Sequence, residues 1–242
     1  MARDERPLSA VPRAVAVALA AALAAQLAWQ AAQPRPVARA EALAAPPPLP
    51  VLRVLSLGEP VALAQLMTLY LQAFDNQPGI SIPFRDLDYP RVAQWLDAIL
   101  GLDPLTQYPL LMASQLYAQV PDPARTRFMF DLVYQRFLED PNRRWRWLAH
   151  AALISKHRLK DLPLALRYAR EIAQRAPAAP AWARQMHLIV LEDMGEIESA
   201  KILIGGLLDS GEIKDIYELR FLLNRLEELK KKAEKSSLPS KN

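Results

Sequence analysis

Residues 140–177 read DPNRRWRWLAHAALISKHRLKDLPLALRYAREIAQRAP, and this stretch decides the fold. Two runs with apolar residues at helical spacing lie on either side of a break at Leu159-Lys160-Asp161-Leu162. Proline opens the stretch and proline closes it. Because proline lacks an N–H and tolerates only the first turn of a helix, each one ends a helix or starts the next. Asp103-Pro104, Asp140-Pro141 and Ala176-Pro177 each follow an apolar helical run, and the prolines stand 37 and 36 residues apart (141 − 104 and 177 − 141). A recurring unit of that length points to two-helix repeats stacked as a solenoid.

The pattern continues outward. Leu63, Met67, Tyr70 and Phe74 share one face of an earlier helix, and Val92, Leu96 and Ile99, with Trp95, do the same in the next. No window alternates as a strand would; Ser81-Ile82-Pro83-Phe84 comes nearest, and its proline interrupts it. Toward the C-terminus, Met194-Gly195-Glu196-Ile197-Glu198-Ser199-Ala200 resembles the turn of the tetratricopeptide repeat family, a glycine followed five residues later by a small alanine. Ala165 is the equivalent small residue 35 positions earlier (200 − 165), and Pro177 falls where that family's repeat-ending proline belongs. Gly195 suits the left-handed end of a helix, while Ala165 and Ala200 let two helices approach closely.

The resemblance covers residues 145–212, and 59–144 keep the unit size and the ending proline, with Pro104 and Pro141 as repeat markers. It departs at 159–162, where no glycine stands. It implies an all-α, tetratricopeptide-like helix-pair solenoid over 58–233, with four helix pairs and a concave groove for peptides or other subunits. A closing helix from Ile216 to about Lys232 would cover the last face with Leu219, Leu222, Leu226 and Leu229, leaving 234–242 as a polar tail.

Ala14 to Ala32 carries no charge over 19 residues (32 − 13), nearly enough to cross a hydrocarbon core of about 30 Å. Val15, Leu19, Leu23 and Leu27 supply hydrophobicity, and Trp29 sits at an interfacial position. Arg3, Arg6 and Arg13 precede the run, against Arg35 and Arg39 after it. That bias puts residues 1–13 in the cytoplasm, 14–32 in a bacterial inner membrane as a single-pass anchor, and the bulk of the chain in the periplasm. The alternative is a signal peptide cleaved near Ala38-Arg39-Ala40, with secretion to the periplasm. Residues 33–57, rich in proline and alanine, read as a linker, extended and semi-rigid.

The chain has no cysteine, which excludes disulfides, thiolate catalysis and zinc–thiolate sites. A net charge of +4 is too weak a field to argue for nucleic acid. His150, His157 and His187 share no metal-ligand spacing, and no nucleophile or phosphate-loop motif appears. Gly205-Gly206 inside a helical run reads as a site of tight helix packing. No cofactor, metal or small-molecule substrate is expected.

The most suggestive surface is Pro141-Asn142-Arg143-Arg144-Trp145-Arg146-Trp147, where three arginines interleave two tryptophans in a form suited to grip an acidic peptide or lipid headgroups. The plainer reading buries Trp147 at a repeat start and leaves the arginines solvated. In the insert at 75–88, Ile82 and Phe84 are candidates for a partner-binding arm, with Asp88 a candidate helix cap. The expected function is a non-catalytic, membrane-anchored scaffold that binds proteins as an accessory subunit or assembly factor of an envelope complex. The alternatives are an enzyme with its site at His150 or in the 75–88 insert, and a purely structural spacer.

Overall fold

The structure is a computed structural model that describes residues 12–33, 40–209, 213 and 215–237, the side chains from 232 onward excepted. Arg3 and Arg6, expected on the cytoplasmic side, the alternative cleavage position near Ala38-Arg39 and most of the expected polar tail lie outside those residues. The chain divides into two bodies, residues 1–40 with 78–80, and residues 41–77 with 81–242.

In the first body, α1 (Arg13–Ala32) follows Pro12 and buries none of its residues. It is long and apolar enough to cross a membrane, as a signal sequence near an N-terminus also can be.

The second body is mostly helical. It runs α2 (Leu49–Leu55), α3 (Pro60–Ala73), α4 (Tyr89–Leu102) and α5 (Tyr108–Leu111), which passes into a π turn at Met112–Leu116 and a 3₁₀ turn at Tyr117–Gln119. There follow α6 (Pro123–Glu139), α7 (Pro141–His157), α8 (Leu162–Arg175), α9 (Ala181–Arg184), α10 (Met186–Asp193), α11 (Ile197–Asp209) and α12 (Ile216–Ser237). Four of these helices start the same way, with an aspartate whose carboxylate accepts backbone N–H groups and a proline in the first turn. Asp88 accepts from Arg91, Asp122 from Ala124 and Arg125, Asp140 from Arg143, and Asp161 from Leu164. Each carboxylate satisfies a donor that the helix itself leaves open.

Apart from the single-turn α9, successive helices here pack on one another: α6 on α7, α7 on α8, α8 on α10, α10 on α11 and α11 on α12. The side-chain links between them recur at nearly one sequence separation. Arg127 meets Asp161 34 residues on, Arg136 meets Asp97 across 39, and Arg144 reaches the Pro104 carbonyl across 40. Arg167 meets Asp131 across 36, Gln185 meets Glu218 across 33, and Arg225 meets Glu192 across 33. That separation matches the proline period read from the sequence.

Two apolar clusters form the core. The larger centres on Leu96, Met129, Phe130, Val133, Phe137 and Leu148. The smaller joins Ala165, Leu188, Leu191, Ala200, Ile204 and Leu222. Each fully buried large side chain contributes about 1.5–3 kcal/mol through its removal from water. After α10, Gly195 takes φ 80° and the Glu196 N–H donates back to the Leu191 carbonyl, closing the helix end. In α12, Leu222 and Leu229 are buried, but Ile216, Tyr217 and Phe221 stay exposed.

Several expectations are corrected. The stretch 33–57 is not a free linker: α2 lies inside it, Leu43 is buried, and the Trp95 indole donates to the Ala44 carbonyl at 2.8 Å. The Gln77 amide holds Glu41 from both sides, accepting its N–H at 2.7 Å and donating to its carbonyl at 3.1 Å. Leu49 packs within 3.1 Å of where a Cβ on Gly101 would stand, so that glycine makes the room for α2. Gly205 and Gly206 serve no tight packing, since a Cβ at either meets nothing within 4 Å. Ile82 and Phe84 do not form a free arm. Both are half-buried against the larger cluster, Phe84 edge-on to Tyr117 at 5.7 Å.

Candidate functional site

The start of α7 positions the arginine–tryptophan run. Asp140 caps the helix and also pairs with the Arg143 guanidinium at 3.0 Å, holding that cation at the helix end. Arg144 turns inward and is only 3% exposed. Its guanidinium donates to the Glu139 carboxylate at 2.7 Å and to the carbonyls of Arg136 and Pro104 at 2.6 and 3.1 Å. It therefore joins α7 to the preceding helices and does not belong to the surface set in which the sequence reading placed it. The opposite face of α7 is open.

There, Trp145, Arg146, Trp147, His150 and Leu153 line an open groove of about 460 Å³, closed on its sides by Trp182 and Gln115. Trp182 comes from α9 and stands edge-on to Trp145, ring centroids 5.5 Å apart. It is 56% exposed, unusual for so large an apolar surface. The Arg146 guanidinium lies over the Trp145 ring at 5.5 Å and pairs with no carboxylate among the described residues. The Trp147 indole donates to the Gln107 amide oxygen at 2.7 Å, which fixes its orientation in the wall. Gln115 reaches the groove from the π turn, a local widening that recurs at binding sites.

His150 sits in the same wall with its Nε2 buried and without a hydrogen-bond partner. Burial, reinforced by the nearby Arg158 cation, holds its pKa below the usual 6.5, so the imidazole is neutral at pH 7. His187 is likewise held low by burial, and its Nδ1 donates to the Arg184 carbonyl at 2.8 Å. Among the described residues no three His, Cys, Asp or Glu side chains stand close enough to hold a metal ion.

The sequence singled out Trp145 and Arg146 but missed their partners. Trp182 was within reach of the repeat argument, because it stands 37 residues after Trp145 (182 − 145), one period on. Gln115 carries no sequence signal, since a π turn has no distinctive composition. Compared with known protein families, with curated proteins and with solved structures, the chain matches none. The groove's geometry therefore carries the functional argument by itself.

Proposed function

We propose that this chain is a non-catalytic, membrane-anchored scaffold of the tetratricopeptide-like kind. It holds a protein partner as an accessory subunit or assembly factor of a bacterial envelope complex. α1 is its single-pass anchor in the inner membrane, and the helical body lies in the periplasm. The recurring 32- to 40-residue separation of the interhelical links supports the solenoid reading, because stacked repeats bring residue i against its equivalent one unit later.

One observation carries the binding role: the groove of Trp145, Trp147 and Trp182 beside Arg146. Tryptophan and arginine are the side chains that dominate binding hot spots, since each presents large rigid area together with a polar handle. The groove suits an aromatic or aliphatic side chain set against the indoles with a carboxylate near Arg146. His150 has no nucleophile or carboxylate partner among its contacts, so it reads as wall and not as a general base.

The test is purification of the tagged full-length protein in mild detergent, with mass spectrometry of what accompanies it. The wild-type chain is expected to retain a stoichiometric set of envelope proteins. Trp145→Ala with Trp182→Ala should lose that set, each truncated anchor costing roughly 2 kcal/mol or about thirtyfold in affinity. Equal retention by both proteins would remove the groove from the binding role. The mass of the purified chain also decides between an uncleaved anchor and a removed signal peptide.

A further inference from the structure

The start of the second body presents apolar surface that its own core does not use. α3 is predominantly apolar, with no charged residue from Pro60 to Phe74 and only Gln65, Thr68 and Gln72 polar. Such a helix is normally surrounded by protein or lipid. Here only Ala64, Met67 and Leu71 are buried, while Leu66 and Leu69 are 63% and 60% exposed. On α2, Val54 is 74% exposed. The two helices meet at an elbow bent by 110°.

The tip of the elbow is the most telling part. Leu57 is 91% exposed and holds φ 50°, the left-handed region that a bulky side chain avoids at a cost of about 1 kcal/mol. Nothing in the fold touches enough of it to explain a leucine there. Gly58 follows at φ 91°, so the turn already has the residue that favours this backbone region. The leucine therefore adds apolar surface at the tip and nothing to the turn.

Chain length says which apolar medium is at hand. α1 ends at Ala32, and the chain is tied to the second body from Glu41 onward by Gln77, Leu43 and Trp95. Residues 33–40 reach at most about 28 Å. A chain held in a bilayer by α1 keeps this body within that distance of the lipid surface, at high effective concentration. A second copy or a soluble partner has no such tether.

We propose that the α2–α3 elbow, tipped by Leu57, is a docking surface that seats in the lipid–water interface of the bilayer holding α1. The inference rests on the reading of α1 as a membrane span. An interfacial segment buries its apolar face about 5–10 Å into the headgroup boundary, a depth the exposed side chains of this elbow suit. Arg53, exposed on α2, can then meet anionic headgroups.

The absence of cysteine makes the test direct. Single substitutions Leu57→Cys, Leu66→Cys, Leu23→Cys in α1 and Gln135→Cys on the exposed face of α6 are made in the full-length chain and spin-labelled. The proteins are reconstituted in vesicles of phosphatidylethanolamine and phosphatidylglycerol, and each label is read for access to oxygen and to a water-soluble nickel chelate. The proposal expects positions 57, 66 and 23 to be oxygen-rich and shielded from nickel, and 135 to be open to it. Adding Leu69→Glu to the Leu66→Cys protein should return position 66 to water.

Nickel access at 57 and 66 with position 23 still in lipid would overturn the docking and leave the anchor standing. Nickel access at all of 23, 57 and 66 would overturn both. Shielding at 57 and 66 from both reagents, with dipolar broadening between labels, would mean that a second copy covers the elbow, and would also overturn the proposal.

Discussion

α3 and α8 answer the same packing requirement with opposite outer faces. Each is 14 residues long, each has proline in its first turn, and each follows a non-glycine residue in the left-handed region, Leu57 at φ 50° and Lys160 at φ 56°. Each buries one stripe, Ala64, Met67 and Leu71 in α3 and Ala165, Tyr168, Ala169 and Ile172 in α8. The remaining half differs. α8 turns Arg167, Arg170 and Arg175 outward, where α3 turns Leu66, Leu69 and Tyr70. Even the two left-handed residues follow the division, a charged side chain before α8 and an apolar one before α3. The fold specifies only the inner stripe of a helix. Its outer stripe records the medium it faces, water for α8 and an apolar phase for α3.

The largest effect that tests this contrast lies in the core. Ile172→Ala should cost about 3 kcal/mol of unfolding free energy in denaturant titration, through lost burial and the cavity left behind. Leu66→Glu on the outer face of α3 should change stability in detergent by less than about 0.5 kcal/mol. A loss at Leu66 as large as at Ile172 would mean that protein already packs against the outer face of α3.

Arg144 is the exception that sharpens the comparison, a cation turned inward. Arg144→Ala should cost about 2 kcal/mol, since it leaves the Arg136 and Pro104 carbonyls without their donor. No loss would show that water replaces the guanidinium at no cost.

Smaller effects come from the turns. Lys160→Gly should gain about 0.5 kcal/mol, the relieved strain exceeding the entropy glycine brings to the unfolded chain. Leu57→Gly should gain as much in detergent while weakening vesicle docking, separating the two roles that the leucine combines.

The smallest effect is acid sensitivity. His150 and His187 have folded pKa values below 6.5, so the unfolded chain takes up protons first. Their contribution is complete above pH 6.5 and is lost as pH falls below it. The denaturation midpoint should drop between pH 7.5 and 5.5, and less so in His187→Gln. A midpoint that rises on acidification would contradict the neutral buried imidazoles.

The helices were legible because they follow from local spacing. Apolar residues at Val92, Leu96 and Ile99, and prolines at 104, 141 and 177, report a helix face and a helix end without any tertiary information. What the sequence concealed depends on contacts far along the chain. Arg144 looks like any surface arginine until the Pro104 carbonyl, 40 residues away, is seen beside it. The proline-rich stretch reads as a spacer until Trp95, 51 residues on from Ala44, takes hold of it. The groove was half legible for the same reason: Trp145 and Arg146 declare themselves locally, whereas Trp182 and Gln115 join them through the packing of helices far apart in the chain.

The hold on residues 41–44 has a mechanical consequence. Any traction on the chain from its N-terminal side arrives first at Glu41, where the Gln77 amide grips the backbone on two sides, and next at Leu43, seated in the larger cluster. The pull is spent against those bonds before it can unwind a helix. Drag is thus delivered to the larger apolar cluster, against which Trp145 and Trp147 of the groove also pack.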